Sequence, residues 1–150
     1  MRPLEIANAD YDKLAKTLRR VDFFQPLSLD QLAKAIPYIL LFGYDDGERV
    51  FKQGEDGDAF FIVLDGKVEV RVSKFPLGLF AKTVATLGSG GFFGEMALFS
   101  KEKRSATVRA IGPTRLFVLL KKEFTKFLAE NPGFKEKVEQ TVGRRGFQNK

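Results

Sequence analysis

The sequence predicts a mainly β fold, a sandwich or barrel, flanked by helices at both ends. Between Tyr38 and Leu120, short apolar runs are cut by Gly43, Gly47, Gly54, Gly57, Gly66, Gly88 and Gly112. Strands at such spacing with turn residues between them favour closed or layered all-β architectures. Val68, Val70 and Val72 alternate with Glu69 and Arg71, the period of two of a half-buried strand. Many of the 16 phenylalanines fall in the same stretch, where aromatic side chains suit a β core. Outside it the apolar spacing turns helical. One domain is expected, with helices over 1–37, the barrel over 38–120 and helices over 121–150.

Each element follows from a local pattern. Tyr11, Leu14, Ala15 and Leu18 give one apolar stripe on a first helix. Ser28 followed by Gln31 is a capping box for a second, with Leu27 and Leu32 as its hydrophobic staple. Pro37 ends that helix, because the residue before a proline is pushed out of the α region. Strands are expected at Ile39–Phe42, Arg49–Phe51, Ala59–Leu64, Val68–Val72, Phe80–Leu87, Ala106–Ile111 and Leu116–Leu120. Asp65-Gly66 between two of them suits a type I′ hairpin. Phe124, Phe127 and Leu128 mark a helix that Asn131-Pro132 breaks, and Phe134, Val138 and Val142 form a thin stripe on another. A stripe so narrow needs a surface to lie on.

Composition removes most chemistries. The chain has 0 histidines and 0 cysteines, which excludes His–Cys metal sites, Ser–His and Cys–His nucleophiles, redox thiols and disulfides. No apolar run approaches the roughly 18–20 residues of a membrane span, and the first residues lack a signal-peptide core. The expected setting is the cytoplasm, with no membrane partner. The formal charge is +6, unevenly spread: residues 1–60 carry net −3, 61–120 net +5 and 121–150 net +4. A basic second half fits nucleic acid, a small anionic ligand or a solvated face equally.

The chemistry concentrates in Gly90-Gly91-Phe92-Phe93-Gly94-Glu95-Met96-Ala97-Leu98-Phe99, followed by Arg104-Ser105-Ala106-Thr107-Val108-Arg109-Ala110. Glycines feed a turn that opens a single helical turn at Glu95–Phe99, whose exposed N–H groups make an anion seat. Arg104 can close that seat over a phosphate with two parallel hydrogen bonds. Glu95 suits a sugar hydroxyl beside the phosphate. Other readings fit each residue singly: Glu95 as a helix-start charge, Arg104 as a solvated member of Lys101-Glu102-Lys103-Arg104, the glycines as plain turns. A GxGxxG starting at Gly88 would need glycine where Phe93 stands, and no Gly-Lys-Ser/Thr occurs, so dinucleotide folds and P-loops are excluded.

Phe93-Gly94-Glu95-Met96-Ala97-Leu98 with Arg104-Ser105-Ala106-Thr107-Val108-Arg109-Ala110 resembles the phosphate-binding cassette of cyclic nucleotide-binding domains. These are the domains of catabolite activator proteins and of cyclic AMP-dependent kinase regulatory subunits. The resemblance extends upstream through Val21–Phe24, Asp46–Asp58 and Phe60–Val68, covering about residues 22–120. It implies an eight-stranded jelly-roll barrel with flanking N-terminal and C-terminal helices. It implies that Glu95 takes the ribose 2′-hydroxyl and Arg104 the cyclic phosphate. Gly94, Met96, Ala97, Ser105 and Ala106 then complete the ligand-binding set. Val84, Phe93, Phe134 and Val138 are expected to line the base or form a lid. Met96 stands where leucine or isoleucine is common, and Ser105 where kinase-type domains often carry alanine, which leaves the base open.

The expected function is a cyclic-nucleotide sensor with no catalysis and no cofactor. Its ligand is cyclic AMP, slightly favoured, or cyclic GMP, and binding is passed through the terminal helices to an unidentified effector. A DNA-binding regulator would need a helix-turn-helix after the barrel, and 30 residues follow Leu120. A jelly-roll metalloenzyme would need histidines. A degenerate, non-binding interaction domain is at odds with the presence of both Glu95 and Arg104.

Overall fold

The structure, a computed structural model, describes residues 1–73 and 81–148, with 141–148 as backbone alone. In order these form β1 (Arg2–Leu4), α1 (Asn8–Leu18), α2 (Leu29–Ala35), β2 (Leu40–Tyr44) and β3 (Arg49–Phe51). Then come β4 (Ala59–Ser73), β5 (Ala81–Leu87), β6 (Phe92–Phe93), β7 (Thr107–Leu120), α3 (Lys121–Glu130) and α4 (Pro132–Gln148). Short 3-10 turns occupy Ile36–Tyr38 and Glu95–Leu98. This is the mainly β jelly-roll class with helices at both ends.

The seven strands pair antiparallel in the order β1-β2-β7-β4-β5, with β3 also on β7 and β6 on β4. Among the described residues the sheet does not close. Seven strands stand where the resemblance implies eight: among the strands expected from the sequence two pairs merge at bends, and β1 and β6 are added. Val68–Val72 does not fold back on Ala59–Leu64 at Asp65-Gly66. Both halves lie along β7, Ala59–Val63 against Leu116–Leu120 and Lys67–Arg71 against Thr107–Ile111, so β4 runs unbroken. Gly66 permits this: its φ is +85°, and a β-carbon there would stand 2.5 Å from the Pro113 carbonyl oxygen. The Asp-Gly pair makes a bend where β7 crosses, and β7 bends with it at Gly112. Neither β1 nor β6 was expected from periodicity, and each is too short to show one.

Strand alternation sorts the apolar side chains into two cores. Phe60, Ile62, Leu64, Phe117 and Leu119 face the helices and pack with Leu14, Leu18, Phe23, Phe24, Phe124, Phe127, Phe134 and Val138. Phe61, Val63, Leu116 and Val118 face the other way, with Tyr44, Val68, Val108 and Ala110. A strand buried on both faces explains the unbroken apolar run Ala59–Leu64.

The capping box forms as expected. Ser28 Oγ accepts from Gln31 N at 3.2 Å and Gln31 Oε1 accepts from Ser28 N at 3.0 Å. On α1 the buried face is rotated from the expected stripe: Leu14 and Leu18 are buried, but Tyr11 is exposed and Asp10 lies inside. Arg115 accounts for the rotation. Its Nη1 reaches Asp10 at 3.4 Å, while Nε and Nη2 hold Asp65 Oδ2 at 2.9 and 2.5 Å. Asn131 caps α3 by donating from Nδ2 to the Phe127 carbonyl at 2.9 Å. Pro132 then opens α4, where its missing N–H costs nothing. No helix among the described residues is long and apolar enough to cross a membrane.

Candidate functional site

A cavity of about 280 Å³ opens between the 3-10 turn and the sheet. Phe51, Val70 and Val108 form its apolar floor, and Phe93, Gly94, Met96, Ala97, Arg104, Ser105 and Ala106 line it with Ser100, Glu102 and Lys103. Seven of the residues expected at a ligand site therefore meet around one hollow. Glu95, half-buried, is the first residue of the 3-10 turn but does not line the hollow.

Arg104 is the only buried arginine among the described residues, with its side chain 5% exposed. It is not a solvated loop charge. Its backbone is fastened to the preceding loop, Arg104 N donating to Glu55 O at 2.7 Å and Gly54 N to Arg104 O at 2.8 Å. The guanidinium lies 4.0 Å over the Phe51 ring, in a cation–π contact. Phe61 stacks on Phe93 with centroids 5.1 Å apart and supports Phe51 from behind. Nη2 donates to the Ala59 carbonyl at 2.8 Å, whereas buried Nε has no hydrogen-bond partner among the described residues.

Burial pushes this guanidinium below the usual arginine range, and Asp58 and Glu55 pull it partly back. The compensation is thin. Asp58 Oδ1 is 3.8 Å away on a side chain 82% exposed, where solvent screens the attraction. A buried cation with an unpaired donor is suited to an anion, and the planar fork is suited to a phosphate.

Small residues set this geometry. Gly94 has φ +78°, and a β-carbon on it would stand 2.8 Å from Arg104 Nη1 and 3.1 Å from the Ala59 carbonyl. One on Gly57 would stand 2.9 Å from Ala97 Cβ. The site loops also tie into the helices. Lys121 at the start of α3 donates from its backbone to Asp58 O at 2.8 Å and from Nζ to Ser100 O at 2.9 Å.

The remaining expected residues lie elsewhere. Val84 is the extra residue of a bulge on β5, since Val70 faces Ala85 and Arg71 faces Thr83, and it is 55% exposed and outside the cavity. Phe134 and Val138 are buried in the helical core, with Phe134 4.7 Å from Phe127, and neither lines the cavity. Val142 falls where side chains are not described. Phe51, Val70, Val108, Ser100, Glu102 and Lys103 were not anticipated as lining. Val108 stood within the run after Arg104, Glu102 and Lys103 just before it, and Phe51 within Asp46–Asp58, whereas nothing in the sequence tied Val70 to the site.

Residues 42–131 match the family model for the cyclic nucleotide-binding domain. The chain is 34% identical over 128 residues to a putative potassium channel protein of Rhodopseudomonas palustris, covering 85% of this chain and 30% of the relative. It is 36% identical over 134 residues to the cAMP-dependent protein kinase regulatory subunit of Mycosarcoma maydis, covering 85% and 25%. It thus spans about a quarter to a third of these relatives. Among solved structures, the N-terminal domain of a transcriptional regulator from Streptomyces coelicolor superposes with a TM-score of 0.78 at 26% identity. That match covers 89% of this chain and 92% of the other. The chain belongs to the cyclic nucleotide-binding domain family.

Proposed function

We propose that residues 1–150 act as one non-catalytic sensing unit for a 3′,5′-cyclic mononucleotide, with Arg104 holding the cyclic phosphate. The buried guanidinium with its orphaned Nε carries this reading. Gly94, Met96, Ala97, Ser105 and Ala106 line the ligand, and Glu95, at the head of the turn, takes the ribose 2′-hydroxyl. The cavity lies just below the roughly 300–1,000 Å³ of typical small-molecule sites, a size that suits one nucleotide better than two. Cyclic AMP is the first choice, in keeping with the cAMP-dependent relative. At roughly 0.3 kcal/mol per heavy atom, about 22 atoms give about 7 kcal/mol, a Kd on the order of 10 μM or tighter.

Transmission runs through Phe99, at the end of the cassette turn. Its ring sits edge-on to Phe23 at 5.0 Å and to Phe124 at 5.5 Å. A shift of the turn on phosphate binding is thereby handed to the segment before α2 and to α3. Phe134 and Val138 act inside that helical core, where Phe134 meets Phe24 and Phe124. The ligand moves this equilibrium only by its differential affinity for the two arrangements.

Thermal shift against cyclic AMP, cyclic GMP and linear AMP tests the reading. At about 100 times Kd the stabilisation is about 2.7 kcal/mol, a rise of roughly 5–10 °C. The rise is expected for a cyclic nucleotide and not for linear AMP. Equal shifts with all three, or none, reject it.

A further inference from the structure

Lys103 lines the same hollow as Arg104 but at its open end, with its side chain 65% exposed against 5% for Arg104. Its ammonium is paired with the carboxylate of Asp56, a side chain 82% exposed. The main chains of these two residues also face each other in an antiparallel bridge, made by Arg104 N donating to Glu55 O, with Gly54 N donating to Arg104 O beside it. Backbone is therefore held still while the two side chains remain free to part.

We infer that Lys103 is a second cation for the cyclic phosphate, held by Asp56 until the ligand arrives. On binding, Nζ exchanges the carboxylate for a phosphate oxygen, and Asp56 is released to solvent. This rests on the assignment of the phosphate to Arg104. An exposed ion pair contributes little stability, so the exchange costs little. A lysine is suited to it, because a point charge on a flexible four-carbon stem moves without disturbing its backbone. Arg104 then supplies the buried, geometrically fixed contact, and Lys103 the outer charge that draws the anion in. Asp56 acts as an internal competitor that sets the affinity.

The test is calorimetric titration of the full chain with cyclic AMP, using Lys103→Met, Asp56→Asn, the double variant and Arg104→Ala. All the exchanged side chains except Arg104 are exposed, so the fold is retained, and melting without ligand verifies this. Lys103→Met is expected to weaken binding about three- to tenfold. Asp56→Asn is expected to tighten it about two- to fivefold, an effect that vanishes when Lys103 is already Met. Wild-type affinity in Lys103→Met, or the same effect of Asp56→Asn in both backgrounds, overturns the exchange while a weakened Arg104→Ala keeps the phosphate site. Wild-type affinity in Arg104→Ala removes the site itself.

Discussion

The Arg104 guanidinium fills space that the missing side chain of Gly94 leaves open: a β-carbon on the glycine would lie 2.8 Å from Nη1. The left-handed φ of +78° that starts the 3-10 turn also leaves room for the buried cation behind it. The turn and the charge are therefore one device, built from residues ten positions apart.

Gly94→Ala follows directly. It adds backbone strain of about 1–3 kcal/mol and pushes the guanidinium off its Ala59 and Phe51 contacts. We expect a lower midpoint in urea denaturation and cyclic-nucleotide affinity reduced about tenfold or more. Unchanged affinity in a folded variant would separate the glycine from the site.

Gly66→Ala tests the bend of the long strands. With φ +85° and a β-carbon 2.5 Å from Pro113 O and Thr114 Oγ1, β7 must move away from β4. The expected loss is about 2–4 kcal/mol by chemical denaturation. A near-neutral result would contradict the close passage of β7 over this residue.

Phe99→Ala removes the ring between Phe23 and Phe124. Phenylalanine truncation in a full core costs about 3–5 kcal/mol, and partial exposure reduces this to about 2–3 kcal/mol. Hydrogen exchange gives the informative readout. Cyclic nucleotide is expected to alter protection across α3 in the wild type and not in the variant. A ligand response of α3 that survives the substitution rules out this route.

Tyr44 supplies a pH dependence. Burial, with the nearby Glu48 charge, pushes its phenol from 10.0 up to about 12. The raised value means that the fold favours the neutral phenol. Its contribution is complete below pH 10 and is lost as pH rises through about 12. Phenolate absorbance should show a late step near pH 12 that Tyr44→Phe abolishes. A titration without that step contradicts the burial.

Sequence alone disclosed what local chemistry decides. The Ser28–Gln31 box, the helix break at Pro132 and the strand at Ala59–Leu64 are all written in neighbouring residues. Features set by distant partners stayed hidden. Gly66 looks like a turn until β7 is seen pairing with both halves of β4. Asp10 looks like a surface charge until Arg115 turns it inward. The bulge that carries Val84 out to solvent depends on the register with Val70 and Arg71. Arg104 is the most telling case. The sequence offers it both as the cation of an anion seat and as a solvated member of a charge run, and its burial shows only with the three rings of Phe51, Phe61 and Phe93 beside it.

Isothermal titration of the intact chain and of Arg104→Ala with cyclic AMP and cyclic GMP bears most directly on that buried guanidinium. The account predicts one-to-one micromolar or tighter binding of at least one of them. It also predicts a loss of about 2–5 kcal/mol in the variant, which forfeits the phosphate's buried counter-charge. Binding of equal strength in both proteins would contradict it.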